Sequence, residues 1–342
     1  MAMISILVCS RISGNKNWSL FNLLESLKQK SSSYDNFEVL IKFDSDDKKV
    51  GKILPKLDTY PFKIKYLVEP RGRGYLDLHI FYNRLFSLVD KRSVVIAAMA
   101  DDFEIIQKDW DEIILSKVNI FPDQIFIIRT GSTVLHSRKN EQEQRFHLNF
   151  DINALEYLYI VDEAPFWARK LLDVCGGVGH IGSSTDVWTI TLEYYLFHRC
   201  GINRTIFLEQ QLIYRKTRDE IDQPIGLRWW TDRATMFAFA RSSFFKILVE
   251  QQAVNIYFNI KMSEMSTLPP PLIQKESDFK PTALTKEEFR RLKRQYQIAK
   301  LKARALHLFP NSMHPTLRKL YRTLISHRFG QKKQIQDDKY DK

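Results

Sequence analysis

Seven aliphatic residues in succession, Val94–Ala100, end on two adjacent carboxylates, Asp101 and Asp102, and apolar character resumes at Phe103, Ile105 and Ile106. A run of this length without alternation reads as a strand buried on both faces of a mainly parallel sheet, and ligands of such sheets gather at the carboxyl ends of the strands. The two aspartates therefore stand where a site is expected. Successive strand residues point to opposite faces, so both can serve one ligand only if the strand ends or twists there. A divalent cation carrying a diphosphate suits them. Hard oxygen ligands fit Mg²⁺ or Mn²⁺, and few protein carboxylates are needed when the substrate supplies the other oxygens. Two solvated aspartates in a turn are the plainer alternative.

The residues before this run repeat one pattern. Ile4–Cys9 is a short apolar strand, followed by a polar loop and a helical spacing at Leu20, Leu23, Leu24 and Leu27. Phe37–Phe43 is a second strand, and it too ends in acid, at Asp44, Asp46 and Asp47. Ile64–Val68 is a third, running into Glu69-Pro70-Arg71-Gly72-Arg73-Gly74, and a helix from about Leu76 to Val89 leads to the strand that ends at Asp101. Strands alternating with helices predict parallel pairing through right-handed crossovers. Further on, Gln124–Arg129 reads as a strand and Trp167–Val174 as a helix closed by Gly176 and Gly177. Val187, Trp188, Ile190, Thr191, Tyr194, Tyr195 and Phe197 predict a helix ending near Gly201, and Met236–Tyr257 holds the last core elements.

The net charge of +12 is unevenly placed: from Leu284 onward 16 basic residues stand against 5 acidic ones, whereas Met1–Ala283 has 36 against 35. A nucleic-acid-binding core would carry a basic face, so nucleic acid is not the expected partner. Leu268-Pro269-Pro270-Pro271-Leu272 marks a stiff linker, which divides the chain into a domain over 1–262, a linker over 263–283 and a basic extension over 284–342. In the extension, Thr285 opens a capping box, and Phe289, Leu292, Tyr296, Ala299, Ala303 and Leu306 line one helix face, with a second, smaller amphipathic helix around Leu317, Leu320, Tyr321 and Leu324. Such basic helices either pack back on the core or make peripheral contact with an anionic membrane surface. The three cysteines, Cys9, Cys175 and Cys200, have no paired spacing, which points to a reducing compartment. With no leader pattern at Met1–Ser10 and no apolar stretch near the roughly 18 residues of a membrane span, the expected location is cytoplasmic, with the inner face of a membrane within reach of the tail.

Acidic ends on the second and fourth strands, with an Arg-Gly-Arg-Gly turn after the third, converge on one sheet edge. This cluster resembles the donor site of GT-A glycosyltransferases, especially the family 2-like enzymes, over roughly Ile4–Tyr257 as an order of elements. The resemblance implies a three-layer α/β/α, Rossmann-like and mainly parallel sheet with a C-terminal helical extension. It also implies a nucleotide-sugar donor, a UDP-sugar by family habit, and a glycan or lipid-linked hydroxyl acceptor. In that family the first strand opens the nucleotide pocket, here Ser10 and Arg11. An acid after the second strand holds base or ribose, here Asp44 and Asp46. An Asp-x-Asp-like motif binds metal and diphosphate, here Asp101 and Asp102. This chain has Ala-Asp-Asp rather than the full motif, and Asp102 is the favoured ligand of Mn²⁺ or Mg²⁺. Arg71, Gly72 and Arg73 suit phosphate, because glycine admits the backbone and arginine binds bidentately. A helix bearing an Asn follows in the family, which corresponds to Asn83.

The resemblance also implies a catalytic base for inverting transfer at a helix start after a glycine-containing loop, which here is Asp186 in Ser183-Ser184-Thr185-Asp186. Capping and the helix macrodipole favour Asp there whatever the function. His180, in the same loop, is a further candidate metal ligand or phosphate contact. Arg228, Trp229 and Trp230 are candidates for a sugar-stacking lid over the donor, with burial in the core as the rival account. Two other readings stand beside this one. In a haloacid-dehalogenase-like phosphatase, Asp44 would be the nucleophile and Asp46 the general acid, although Lys48 occupies the place of the usual Thr. A non-catalytic scaffold would use only the basic tail.

Overall fold

The longest apolar runs form the middle of the sheet. The computed structural model describes residues 3–12, 20–72, 77–130, 164–179, 185–208, 210–215 and 243–264. In it, β1 (Met3–Ser10) is flanked by β2 (Phe37–Asp44) and β4 (Ser93–Ala100), both parallel to it. Ile4, Ile6, Leu7 and Val8 are buried along consecutive positions, so both faces of β1 are covered, as the sequence of β4 also requires. β3 (Lys63–Glu69) pairs parallel with β2 at the sheet edge.

The other half of the sheet is made of shorter pieces. β6 (Ile127–Arg129), β7 (Phe166–Ala168) and β8 (Thr205–Phe207) complete the order β3-β2-β1-β4-β7-β6-β8. β6 is parallel to β8, while β7 runs antiparallel to both β4 and β6, so the sheet is mainly parallel, as expected, with one reversed strand. The same segment corrects the helix expected from Trp167. Phe166, Trp167 and Ala168 are buried strand residues, and the helix α5 (Arg169–Cys175) starts only after the extended ψ of 135° at Ala168. No turn residue separates the two elements, so their apolar pattern runs through the boundary. β5 (Phe103–Ile105) pairs with β9 (Ile213–Arg215) in a separate two-stranded sheet just beyond Asp102.

Helix faces follow the expected spacing. α1 (Leu20–Lys30) buries Leu20, Leu23, Leu24 and Leu27, each worth roughly 1.5–3 kcal/mol of apolar burial. α2 (Val50–Leu57) was not foreseen, because Gly51 and Pro55 both argue against a helix; Val50, Ile53 and Leu57 nevertheless bury one face. α3 (Leu78–Phe86) is shorter at both ends than the expected span, and α4 (Trp110–Leu115) buries Trp110 and Ile114. α6 (Thr185–His198) is buried nearly all round and carries Glu193 inside the core, where the Arg129 side chain meets it.

α7 (Ser243–Glu264) packs on α6 and α5. Its Gln252 accepts from Trp188 Nε1 at 2.9 Å and donates to the Cys175 carbonyl at 2.8 Å. The helix runs two residues past the domain edge expected at 262, and the rest of the linker and the basic extension lie outside the described residues. No described helix is long and apolar enough to cross a membrane. The three cysteines are free thiols. Parallel register brings the carboxyl ends of β1, β2, β3 and β4 to one rim, with Ser10 beside Phe43, Asp44 beside Glu69 and Cys9 beside Ala100.

Candidate active site

Two consecutive residues at the end of β1 hold the two acidic groups. Ser10 Oγ donates to Asp101 Oδ2 at 2.6 Å, reaching toward β4. Arg11 turns the other way: its Nη1 donates to Asp44 Oδ2 at 2.8 Å and to Asp46 Oδ1 at 2.6 Å, and its Nη2 to Asp46 Oδ2 at 3.2 Å. Asp47, only noted in the sequence as part of an acidic run, accepts the Ile12 backbone N–H at 2.6 Å and that of Lys49 at 3.1 Å. The end of β2 and the loop after it are thereby tied, through Asp44, Asp46 and Asp47, to the two residues that follow β1, Arg11 and Ile12, while Ser10 reaches β4's side.

Asp44 is ringed by cations. Lys42 Nζ, buried, donates to Asp44 Oδ1 at 2.5 Å and to the Pro70 carbonyl at 3.3 Å, and lies 3.8 Å from the centre of the Phe81 ring. Arg71 Nε stands 3.8 Å from Asp44 Oδ2. Gly72 lies against α3, where a Cβ would press into the Phe81 ring and Asp77. The turn after β3 is thus packed on the helix that follows it. Lys42 had no role in the sequence reading. Its signal was a charge inside an otherwise apolar strand, and alternation alone would have put that charge in solvent.

The electrostatics separate the two acidic groups. Hydrogen bonding to Arg11 holds the Asp46 carboxyl below its ordinary value, and the same contacts with Asp46 and then Asp44 raise the Arg11 guanidinium. Burial pushes the Asp101 carboxyl up to about 6; the Ser10 hydroxyl opposes this and the neighbouring Asp102 charge adds to it. Burial likewise pushes the Cys9 thiol up, so it stays protonated at neutral pH and is no nucleophile.

Asp101 and Asp102 occupy the turn between β4 and β5, and both are half-buried. Among the described residues no group of three or more His, Cys, Asp or Glu side chains gathers as a self-sufficient metal cage. A pair of carboxylates beside a diphosphate is the arrangement Mg²⁺ or Mn²⁺ takes with a phosphate substrate. A cation placed there would favour the ionised form that burial disfavours at Asp101. The donor set fits such an ion.

Asp186 lies in the first turn of α6, half-buried, with its Oδ1 accepting the Val187 N–H at 2.9 Å. The preceding loop touches α3: Val178 N–H donates to Asn83 Oδ1 at 2.7 Å, and Asn83 Nδ2 donates to the Val178 carbonyl at 3.4 Å. Asn83 therefore faces this loop, while Phe81, on another face of α3, covers Lys42. Arg73, His180, Arg228, Trp229 and Trp230 lie outside the described residues.

No protein-family model matches the chain, and no curated protein matches it by sequence. Among solved structures, the chain is similar to the mannosyltransferase PcManGT from Pyrobaculum calidifontis in complex with GDP-Man and Mn²⁺, at 13% identity over 89% of this chain and 87% of that one, with a TM-score of 0.49. It is also similar to S. aureus TarS in complex with UDP-GlcNAc, at 14% identity over 76% and 73% of the two chains, with a TM-score of 0.44. Likeness this distant assigns no activity and no residue role. What the chain itself displays is an α/β fold with a mainly parallel sheet, at whose carboxyl rim two acidic groups are joined through Ser10 and Arg11.

Proposed function

We propose that the chain is a nucleotide-sugar glycosyltransferase that uses a divalent cation and moves a sugar to a hydroxyl acceptor with inversion. The observation that carries this reading is the joined pair of acidic groups at the rim: Ser10 on Asp101 and Arg11 on Asp44 and Asp46, with Arg71 beside them. One group supplies carboxylates for a metal and its diphosphate. The other supplies hydrogen-bond acceptors for a nucleoside and cations for phosphate.

Asp102 and Asp101 would hold Mn²⁺ or Mg²⁺, whose chemistry is to neutralise the charge of the departing nucleoside diphosphate. Arg11 and Arg71 orient the nucleotide, and Lys42 keeps Asp44 in place. Asp186 accepts the proton of the acceptor hydroxyl, which requires it within hydrogen-bond reach on the face away from the leaving group. The donor read from the resemblance is a UDP-sugar, with a GDP-sugar as the alternative to test. The phosphatase reading fares worse on chemistry. Its general acid must donate a proton, whereas both Asp46 oxygens accept hydrogen bonds from Arg11.

The test is a thermal-shift panel of UDP, GDP and their sugars with and without Mn²⁺, since a ligand bound only by the folded state raises its melting temperature. Stabilisation by one nucleotide that needs the metal, and that disappears in Asp102→Ala, is the expected result. No stabilisation by any nucleotide would sink the reading.

A further inference from the structure

The carboxamide of Asn83 spends both of its polar ends on the backbone of one distant residue, accepting from the Val178 N–H and donating to the Val178 carbonyl. We infer that Asn83 is a positioning residue for Asp186, a clasp that sets the loop leading into α6, rather than a ligand of the donor.

The loop is shaped for this contact. Gly176 closes α5 in the left-handed region at φ 80°, and Gly177 has φ 133°, where a Cβ would collide with Asn83 Oδ1. Only glycine admits both that backbone angle and that approach. At Gly179 a Cβ would stand 3.6 Å from Thr185 Cγ2 and 3.9 Å from His79 Cβ. His79 and Asn83 are four residues apart, so one face of α3 receives the loop at both points.

Each end of the loop is also held from the body of the domain. The Cys175 carbonyl accepts from Gln252, and the Thr185 carbonyl accepts from Thr189 Oγ1 at 2.7 Å, itself an acceptor for Trp167 Nε1 at 3.0 Å. The Asn83 contact is made instead by the helix that meets the nucleotide side through Phe81, Lys42 and Gly72. The inference rests on the glycosyltransferase reading for the role of Asp186. A base misplaced by about 1 Å can cost on the order of a hundredfold in rate.

The experiment compares Asn83→Leu, which removes both bonds, with Asn83→Asp, which keeps the acceptor for the Val178 N–H. Hydrogen exchange is followed by mass spectrometry on the full chain without ligand. Asn83→Leu is expected to speed exchange across residues 176–186 by about tenfold or more, and Asn83→Asp to retain protection at Val178. With Mn²⁺, the Kd for UDP or GDP should stay within about twofold of the parent in both variants. Turnover of UDP- and GDP-sugars should show kcat reduced by about tenfold or more in Asn83→Leu at unchanged donor KM, with partial recovery in Asn83→Asp. Unaltered exchange in Asn83→Leu would overturn the clasp. So would nucleotide binding weakened as far as in Asp102→Ala, which would make Asn83 a donor ligand. Should Asn83→Leu not fold, the loss of Val178 protection in Asn83→Asp decides against the clasp and its retention in its favour. If the parent chain binds no nucleotide, the glycosyltransferase reading alone falls, and the exchange comparison still judges the clasp.

Discussion

Arg129 and Glu193 form an ion pair in which each side chain is only 1% exposed, and Thr205 Oγ1 donates to the same Glu193 Oε1 at 2.9 Å. The three residues come from β6, α6 and β8, so one buried carboxylate fastens the helix that carries Asp186 to the outer half of the sheet. Removing one partner of such a pair leaves a buried charge, which costs about 3–5 kcal/mol, whereas an apolar replacement of both can approach neutrality. Glu193→Leu is therefore expected to lower the urea midpoint strongly, and Arg129→Met with Glu193→Leu to recover most of the loss. Equal destabilisation by the single and double variants would contradict this.

Lys42→Met keeps an unbranched side chain of similar length but deletes the ammonium, and with it the contact over the Phe81 ring and the bonds to Asp44 and Pro70. A hydrogen bond to a charged group contributes roughly 1.5 kcal/mol or more, so the Kd for the stabilising nucleotide should rise about tenfold while the fold is retained. Calorimetric titration measures this. An unchanged Kd would show that Asp44 needs no support from Lys42.

Asp186→Ala should leave nucleotide binding intact and slow sugar transfer by about 10²–10⁴-fold, the usual contribution of a positioned base. Binding by thermal shift and transfer by nucleoside diphosphate release separate the two effects. Transfer at the parent rate would remove Asp186 from the mechanism.

Asp111 makes the fold sensitive to acid. Burial alone would raise its carboxyl, yet the Ser32 N–H and hydroxyl, both at 2.8 Å, Asn36 Nδ2 at 2.9 Å and the Ser33 N–H at 3.1 Å together hold it below its ordinary value. A carboxyl lowered in the folded state adds stability above its unfolded value of about 3.9, and loses it as pH falls from there through the folded value. Asp111→Asn should thus be destabilised against the parent at pH 7, with the gap narrowing below about pH 4 in denaturation curves. A gap independent of pH would mean that packing, and not charge, is what the side chain provides.

The half of the sheet from β1 to β4 is legible in the sequence because its central strands are eight residues long and mostly apolar, long enough to declare themselves. β5 to β9 have three residues each, too few for periodicity to register; β6 is legible only because it lies in the longer, mostly apolar run Gln124–Arg129, and β7 was swallowed by the helix pattern that follows it. The acidic clusters were legible because charge directly after a buried strand is conspicuous. Their connections were not. Nothing local says that Arg11 bridges Asp44 and Asp46, or that Asn83 turns toward a peptide 95 residues away, since both depend on which elements become neighbours.

Ser10 and Arg11 share a peptide bond, and each grasps a different acidic group. The gap between those groups is consequently gauged by covalent geometry, about 3.8 Å from one Cα to the next, instead of by the fit of side chains. Substitutions that loosen the hydrophobic layers would alter how often the domain opens without stretching this gauge, whereas inserting one residue between the two would pull the halves of the rim out of step while the strands beneath stay paired.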